Sequence, residues 1–422
     1  MSNMGMSRET LDARKFGARH ETIAKSHALR LTPHRASCLM SRTPWPKVKL
    51  GEICNIFTGK KDVNQTVANG PYRFFSCAPT LFYSNEYIFD GAAIIVAGNG
   101  SYTGRVTYYE GKFDLYQRTY ACTITKPHLA DIKFVYDVMR LRFQKEIRGS
   151  LKGASIPYIV KGHLSDFEIY LPPLPVQRRI ADILSAYDYL IENNRRRIAI
   201  LEETARLAYR KWFVERHFPG HERVSIEDGV PHGWEKVHLG DCVVTNLQSY
   251  RASELPSQIN YIDISSVKEG RILEKKHLFS HEAPGRARRR ARSGDVIWSN
   301  VRPNLKSYAL ILEPEADDVF STGFTILTPK SIPYSFLYFF VSTDEFVSYL
   351  DNMVTGATYP AVRPGDFEQA ELLLPNSELL TRFHTLFEPL LWQCEVLVRQ
   401  NAALATARDM LLPRLMKGEV NL

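Results

Sequence analysis

Two stretches of this chain carry apolar residues at alternating intervals of four and three. The first runs through Ile180, Leu184, Tyr187, Ile191, Asn194, Ile198, Leu201, Ala205, Ala208 and Trp212, apolar except for Asn194. The second runs through Phe383, Phe387, Leu390, Cys394, Leu397, Asn401, Leu404, Arg408, Leu411 and Leu415, apolar except for Asn401 and Arg408. This is the 3.5-residue period of a seam between paired helices. The first helix is expected from Pro175 to Trp212, about 57 Å long at 1.5 Å per residue. Pro172, Pro173 and Pro175 stand at its start, where a missing N–H does no harm. Pro389 lies inside the second stretch and is expected to kink or break that helix. A seam Asn fixes register at some cost in stability; for Asn194 and Asn401 the other reading is a solvent-facing position at a frayed crossing.

Before each helix lies a different texture. Segments 45–152 and 234–355 are rich in Tyr, Phe, Val and Ile, punctuated by Gly and Asn. Phe89–Gly98 reads as strand, turn and strand, and Asp295–Ser299 and Thr322–Thr328 as strands. Ile132–Gln144 and Tyr334–Leu350 read as the helices that close each segment. The whole repeats. Gly153-Ala154, Pro157, Gly162, Leu171-Pro172 and Arg179 recur as Gly356-Ala357, Pro360, Gly365, Leu374-Pro375 and Arg382, at an offset of 203 residues. Trp45–Glu52 recurs as Trp234–Asp241 at an offset of 189, so the second half carries 14 more residues between its tryptophan and its Gly-Ala. Repetition at this length means duplicated domains rather than a solenoid. The expected organisation is an extension over 1–40, disordered or preceding the true start; a globular domain over 41–172; a spacer helix over 173–220; a second domain over 221–375; and a second spacer helix over 376–422. The fold class is mixed α/β: two globular domains, each followed by a long helix, with the helices pairing as an antiparallel coiled coil of pseudo-twofold symmetry.

Bulk properties refine this only a little. With 422 residues, 44% hydrophobic and 24% charged, the chain is an ordinary globular protein of two or three domains. A formal net charge of +8 favours a polyanionic partner without requiring one. Cys38, Cys54, Cys77, Cys122, Cys242 and Cys394 are scattered, with no Cys-x-x-Cys pair. They read as reduced thiols of a cytoplasmic protein, with neither a zinc site nor a disulfide framework. No stretch approaches the roughly 20 apolar residues of a membrane span, and residues 1–39 lack the apolar core of a signal peptide.

The sharpest local chemistry is basic. Arg286, Arg288, Arg289, Arg290 and Arg292 crowd the segment Ala283–Asp295, and Asn300, Arg302, Asn304 and Lys306 follow at once. Such density repels itself unless phosphates neutralise it, and Asn and Arg pair bidentately with adenine and guanine edges. The first half has a thinner counterpart in Lys60, Lys61, Asn99, Tyr102, Arg105 and Arg118, on Gly-punctuated loops that read equally as hairpin turns. Catalytic signatures are missing. There is no Gly-x-x-x-x-Gly-Lys-Ser/Thr for ATP, no Asn/Asp-Pro-Pro-aromatic motif for adenine methylation, and no His/Asp/Glu cluster with metal-ligand spacing. Asp263 with Glu274-Lys275-Lys276 meets a nuclease pattern only loosely. Besides a DNA reader, the residues leave open a protein-binding scaffold with incidental basic loops and, more remotely, a self-sufficient nuclease.

Leu171-Pro-Pro-Leu-Pro-Val-Gln177-Arg-Arg-Ile180 leads into a helix ending at Lys211-Trp212-Phe213, and Arg408-Asp409-Met-Leu-Leu-Pro413 to Gly418-Glu419 closes the chain. With Ala283–Arg289 and Ser321–Phe324, this set over 45–422 resembles the specificity subunit of type I restriction–modification systems. The resemblance implies a non-catalytic subunit that recognises double-stranded DNA. Two target-recognition domains would each read half of an interrupted site, and the helices would set the gap. It further implies docking of two methyltransferase subunits, and of motor-nuclease subunits that cut foreign DNA. S-adenosylmethionine, ATP and Mg²⁺ would belong to those partners, with no cofactor in this chain. Arg195-Arg196-Arg197 flank the seam as candidates for partner docking. Departures are Glu378, Thr381 and His384, and Leu380 stands where the first helix has Gln177, which would make the two partner contacts unequal.

Overall fold

A computed structural model describes residues 45–150, 157–354 and 360–416. The expected extension over 1–40, the repeated Gly153-Ala154 and Gly356-Ala357, and the closing Gly418-Glu419 lie outside these residues. In the first globular domain β1 (Lys47–Lys49), β2 (Cys54–Thr58), β3 (Tyr72–Phe75), β4 (Phe82–Ser84), β5 (Phe89–Ala97), β6 (Val106–Leu115) and β7 (Thr119–Ile124) precede α1 (Ile132–Ser150), β8 (Glu168–Tyr170) and the long helix α2 (Leu174–Tyr209). Six of the strands form one sheet in the order β2-β7-β5-β6-β3-β4. Strand periodicity sends Ile94 and Val96 against Phe134, Val138 and Met139 of α1, while Ala93 and Ile95 meet Phe113, Leu115 and Ala121 on the other face. The expected strand–turn–strand over Phe89–Gly98 is instead one strand. Gly91 pairs with Gly111 across it, and both have positive φ, so the ladder bends there without a turn.

The second domain comprises β9 (Glu235–His238), β10 (Val243–Thr245), β11 (Gln248–Ser249), β12 (Gln258–Ile262), β13 (Lys276–Phe279), β14 (Ala287–Arg290), β15 (Asp295–Ser299), β16 (Tyr308–Ile311), β17 (Asp318–Ser321) and β18 (Phe324–Pro329). Helices α3 (Tyr334–Val341) and α4 (Asp344–Met353), β19 (Glu371–Leu374) and the long helix α5 (Ser377–Met416) complete it. Nine of these strands form its two larger sheets, β10-β18-β15-β16 and β11-β14-β17-β12-β13. β15 is buried on both faces: Val296 and Trp298 join the helical core, and Ile297 packs with Phe320, Phe324 and Ile326. The single helix expected over Tyr334–Leu350 is two, parted at Ser342-Thr343, where the Thr343 hydroxyl caps the new helix by accepting from Phe346 N.

The repeat is a matter of hydrogen bonds as well as letters. β1 pairs antiparallel with β8, Lys47 opposite Tyr170, and β9 pairs with β19, Lys236 opposite Leu373. Leu50 N donates to Phe167 O at 2.9 Å and Leu239 N to Ala370 O at 2.8 Å. Each clasp thus joins a strand displaced by 189 residues to one displaced by 203, and closes its domain at the root of the following helix.

The long helices have 36 and 40 residues, about 54 and 60 Å. Their contacts run in opposite senses. Tyr209 and Phe213 meet Phe383, Ile198 packs with Cys394 and Leu397, Asp188 pairs with Arg408, and Ile180 and Leu184 share a core with Leu412 and Leu415. Only the middle of the expected seam, Ile198, Leu201, Cys394 and Leu397, joined by Val398 from outside it, is a cluster of the two helices alone. Towards the ends, Ile180, Leu184 and Leu411 join the first domain's core and Leu390 the second's. Tyr187 and Leu404 are half-buried and Ile191 is buried. Asn194 is buried and stands opposite half-buried Asn401 in this register. Of the kink or break expected at Pro389, the break does not occur: α5 continues through it. Pro389, Thr385 and Leu386 face outwards, so water can satisfy the carbonyl that proline leaves unpaired while Phe383 and Leu391 hold the inner face. Among the described residues no helix is long and apolar enough to cross a membrane.

The two domains meet the helices through different chemistry. The second does so through rings: Tyr209, Trp212, Phe213, Phe336, Phe339 and Phe383. The first adds charges to its shared apolar core, with Arg140 bridging Asp137 and Asp409 and Arg408 bridging Asp409 and Asp188. Burial outweighs Arg140 and raises the pKa of Asp137 to about 7. An unfolded Asp titrates near 3.9, so between roughly pH 4 and 7 the folded state holds a proton that the unfolded state releases. Stability is therefore expected to fall as pH rises through that window. Melting temperatures compared at pH 5 and pH 8 should drop less for Asp137→Asn than for the native chain.

Candidate nucleic-acid interface

At one end of the first domain several loops are tied together by hydrogen bonds to backbone carbonyls. Gln117 N donates to Lys61 O at 2.9 Å, the Cys77 thiol to Arg118 O at 3.3 Å, and Arg105 Nη2 to Ala78 O at 3.0 Å. Ile159 N donates to Gly98 O at 2.8 Å and Gly100 N to Pro157 O at 3.1 Å. This close approach needs glycine: a Cβ on Gly98 would stand 2.1 Å from Arg118 O, and one on Gly59 1.7 Å from Leu115 O. The outcome is that Lys60, Asn99, Tyr102, Arg105 and Arg118, separated in sequence, share one surface. Lys60 and Arg118 are exposed. The Arg105 guanidinium lies 5.6 Å from the centre of the Tyr102 ring, and its Nε is buried with no hydrogen-bond partner among the described residues. Desolvation lowers its pKa, which remains far above neutrality for a guanidinium.

Lys61 sits at the same end but is engaged otherwise. Its Nζ is 2.8 Å from both Glu86 and the buried Asp114 and 3.2 Å from Ser84 Oγ. Its carboxylate partner lies far along the chain, so no local pattern foretells the pair. Lys61→Met is expected to destabilise the first domain by ~1–3 kcal/mol, the cost of leaving a buried carboxylate short of a partner. The salt dependence of DNA affinity should be unchanged, because no phosphate contact is lost. Denaturant titration and binding at two salt concentrations would measure both.

In the second domain Arg286 O accepts from Thr322 N, and Asn300 N donates to Gly323 O, each at 2.8 Å. Arg286 and Asn300 therefore flank one turn, and Asn300 Oδ1 accepts from Thr325 Oγ1 at 2.6 Å. Side-chain alternation along Ala287–Arg290 is interrupted by a β-bulge: Ala287 faces Ser321 and Arg289 faces Phe320, leaving Arg288 as the additional residue. Arg288 donates to Ala287 O, Arg289 to Ser249 Oγ, and Arg290 lies 4.8 Å over the Tyr250 ring. Arg292 precedes β15 whereas Asn300 follows it, so the strand's length, ~17 Å, separates them. Lys306 is ion-paired with Asp344 at 2.7 Å. The loosely nuclease-like residues have structural partners: Lys276 pairs with Asp263, and Lys275 with Asp318 and Glu315.

The loops 98–105 and 300–307 share a set of backbone hydrogen bonds at an offset of 202 residues, a relation that letters conceal, although Gly104 N bonds to Ala97 O where Lys306 N bonds to Pro303 O. Ile159 N→Gly98 O is repeated by Val362 N→Asn300 O, and Gly100 N→Pro157 O by Arg302 N→Pro360 O. Thr103 N→Gly100 O recurs as Leu305 N→Arg302 O, and Ala97 N→Arg105 O as Ser299 N→Ser307 O. Asn99 bridges to Tyr158 as Val301 does to Ala361. Gly100 and Gly104 have positive φ, and so do Arg302 and Lys306.

On the helices Arg195, Arg196 and Arg197 are exposed, with Glu192 pairing to the first two. Gln177 is fully buried and bonds to Asp131 N, Leu129 O and Pro172 O. It fastens the start of α1 to α2. Its replacement by Leu380 is thus a difference between two cores.

Residues 43–203 match the family model described as type I restriction modification DNA specificity domain. The chain is 25% identical to the EcoDI type I restriction enzyme specificity subunit of Escherichia coli, over 89% of this chain and 88% of that one. It is 26% identical to the MjaIX specificity subunit of Methanocaldococcus jannaschii, over 68% and 69%. Its fold resembles the crystal structure of the type I restriction–modification S subunit from M. genitalium, with a TM-score of 0.59 and 17% identity, covering 89% of this chain and 97% of that one.

Proposed function

Because this chain belongs to the family of type I restriction–modification specificity subunits, we propose that it reads a bipartite DNA site, one half with each globular domain. The observation that carries the reading is a pair of basic loops with one backbone geometry, mounted on two unlike domains that are clasped to the same two helices. In this reading α2 and α5 form an antiparallel coiled coil whose pseudo-twofold axis passes between Arg196 and Arg399. The contacts of Ile198 with Leu397 and of Asp188 with Arg408 support one register along its length. The helix pair sets the gap between half-sites, and its outer faces, Arg195–Arg197 included, dock two methyltransferase subunits. Motor-nuclease subunits complete the assembly. S-adenosylmethionine, ATP and Mg²⁺ are bound by those subunits, and the adenine is flipped and methylated there. Lys60 and Arg118 supply phosphate contacts, and the loops supply base contacts.

Purified with its methylating subunit, the chain should protect an interrupted sequence with unlike halves, with affinity falling steeply as salt rises. Protection of a continuous palindrome, or salt-insensitive association, would sink the reading.

A further inference from the structure

The two matched loops differ in what they carry. In the first, the tip is Tyr102, 45% exposed, with Arg105 behind its ring. In the second, the tip is Asn304, exposed and preceded by exposed Arg302, while the position equivalent to Arg105 is the buried Ser307. The backbone is nevertheless kept. Arg302 at φ +50° and Lys306 at φ +54° hold the left-handed conformation that glycines supply in the first loop. Non-glycine residues rarely adopt it, so the geometry has been retained against the preference of the side chains. Residues held this way mark places where position matters more than ease of folding. Both loops are also braced identically, on Pro157–Ile159 and on Pro360–Val362.

Resting on the recognition role above, we propose that Tyr102 and Asn304 are cognate base-contacting positions. Each addresses one base pair of its own half-site, at the same distance from that half-site's methylated adenine. Two loops held by the same bracing bonds, set on one frame about a pseudo-twofold axis, approach the duplex at symmetric places. What they select there differs, because a tyrosine backed by an arginine and an asparagine beside an arginine present different groups to a base edge. The shared loop fixes where on the DNA each domain looks, and the tip residue fixes what it accepts.

The test maps methylated adenines on a randomised-site DNA library for the native complex with its methylating subunit, and for complexes carrying Asn304→Ala or Tyr102→Ala. Each variant is expected to relax one base position by roughly 5- to 150-fold in discrimination, in one half-site only. The opposite half-site, unchanged, reports intact folding and assembly. The two relaxed positions should lie equally far from their methylated adenines. Unaltered base preference in both variants overturns the proposal, as do relaxed positions at unequal distances. If a variant methylates nothing, binding to the same library replaces methylation as the readout, with the same criteria. A native complex that methylates no bipartite site would instead overturn the recognition reading itself.

Discussion

Removing seven residues from the centre of each long helix, Asn193–Ala199 and Val396–Ala402, is expected to abolish methylation at the native spacing and to shift recognition to a shorter gap. The two segments face one another in the register that sets Ile198 against Leu397, so both must go together for the remaining contacts to stay matched. Seven residues are close to two turns, and the domains rotate by only ~20° while approaching by ~10.5 Å. At 3.4 Å per base pair that is about three base pairs. Three base pairs also turn the far half-site by ~100° on a duplex of 10–10.5 base pairs per turn, so the shortened site should be bound less tightly than the original. Methylation mapping on a library that varies only the gap measures the change. An unchanged preferred gap would refute the helices as the spacer.

Phe383→Ala should cost the chain ~3–5 kcal/mol of stability. The ring is fully buried. Its centroid lies 4.6 Å from Phe387, 5.0 Å from Phe213, 5.6 Å from Trp212 and 6.0 Å from Tyr209. It therefore joins both long helices to the second domain, and surrounding rings are too rigid to collapse into the space it would vacate. Leu386→Ala, three residues on but exposed, should change stability little. A urea midpoint that moves for the first and not the second, at equal slope, is the expected pattern. Equal midpoints would mean that the aromatic cluster does not hold the domain.

What could be read from the letters follows a physical division. The helices and clasps repeat at fixed offsets because their residues face one another, and a change in one face requires a change in the opposite one. The loops hide their kinship, since shared backbone hydrogen bonds leave most side chains free to differ: Gly100 and Gly104 stand where the second loop has Arg302 and Lys306, all at positive φ. Lys61 looked free because Asp114 is distant in sequence. The bulge that sets Arg288 apart is a feature of pairing with β17, which no single strand displays. Pro389 carried a local rule that exposure of its neighbours relaxes. The basic residues that share each domain end are brought there by loops between strands, which hydrophobic periodicity does not order.

The clasps carry a last consequence. In each half the chain departs from the frame and returns to it through strands that are hydrogen-bonded neighbours, Val48 beside Ile169 and Val237 beside Leu372. Whatever lies between them is topologically a cassette, and its length and content leave the helices where they were. The 14 additional residues of the second half are accommodated within such an enclosure. A wholesale exchange of one enclosure by recombination would hand the molecule a new vocabulary for half its sentence, with the other half and the spacing between them left intact.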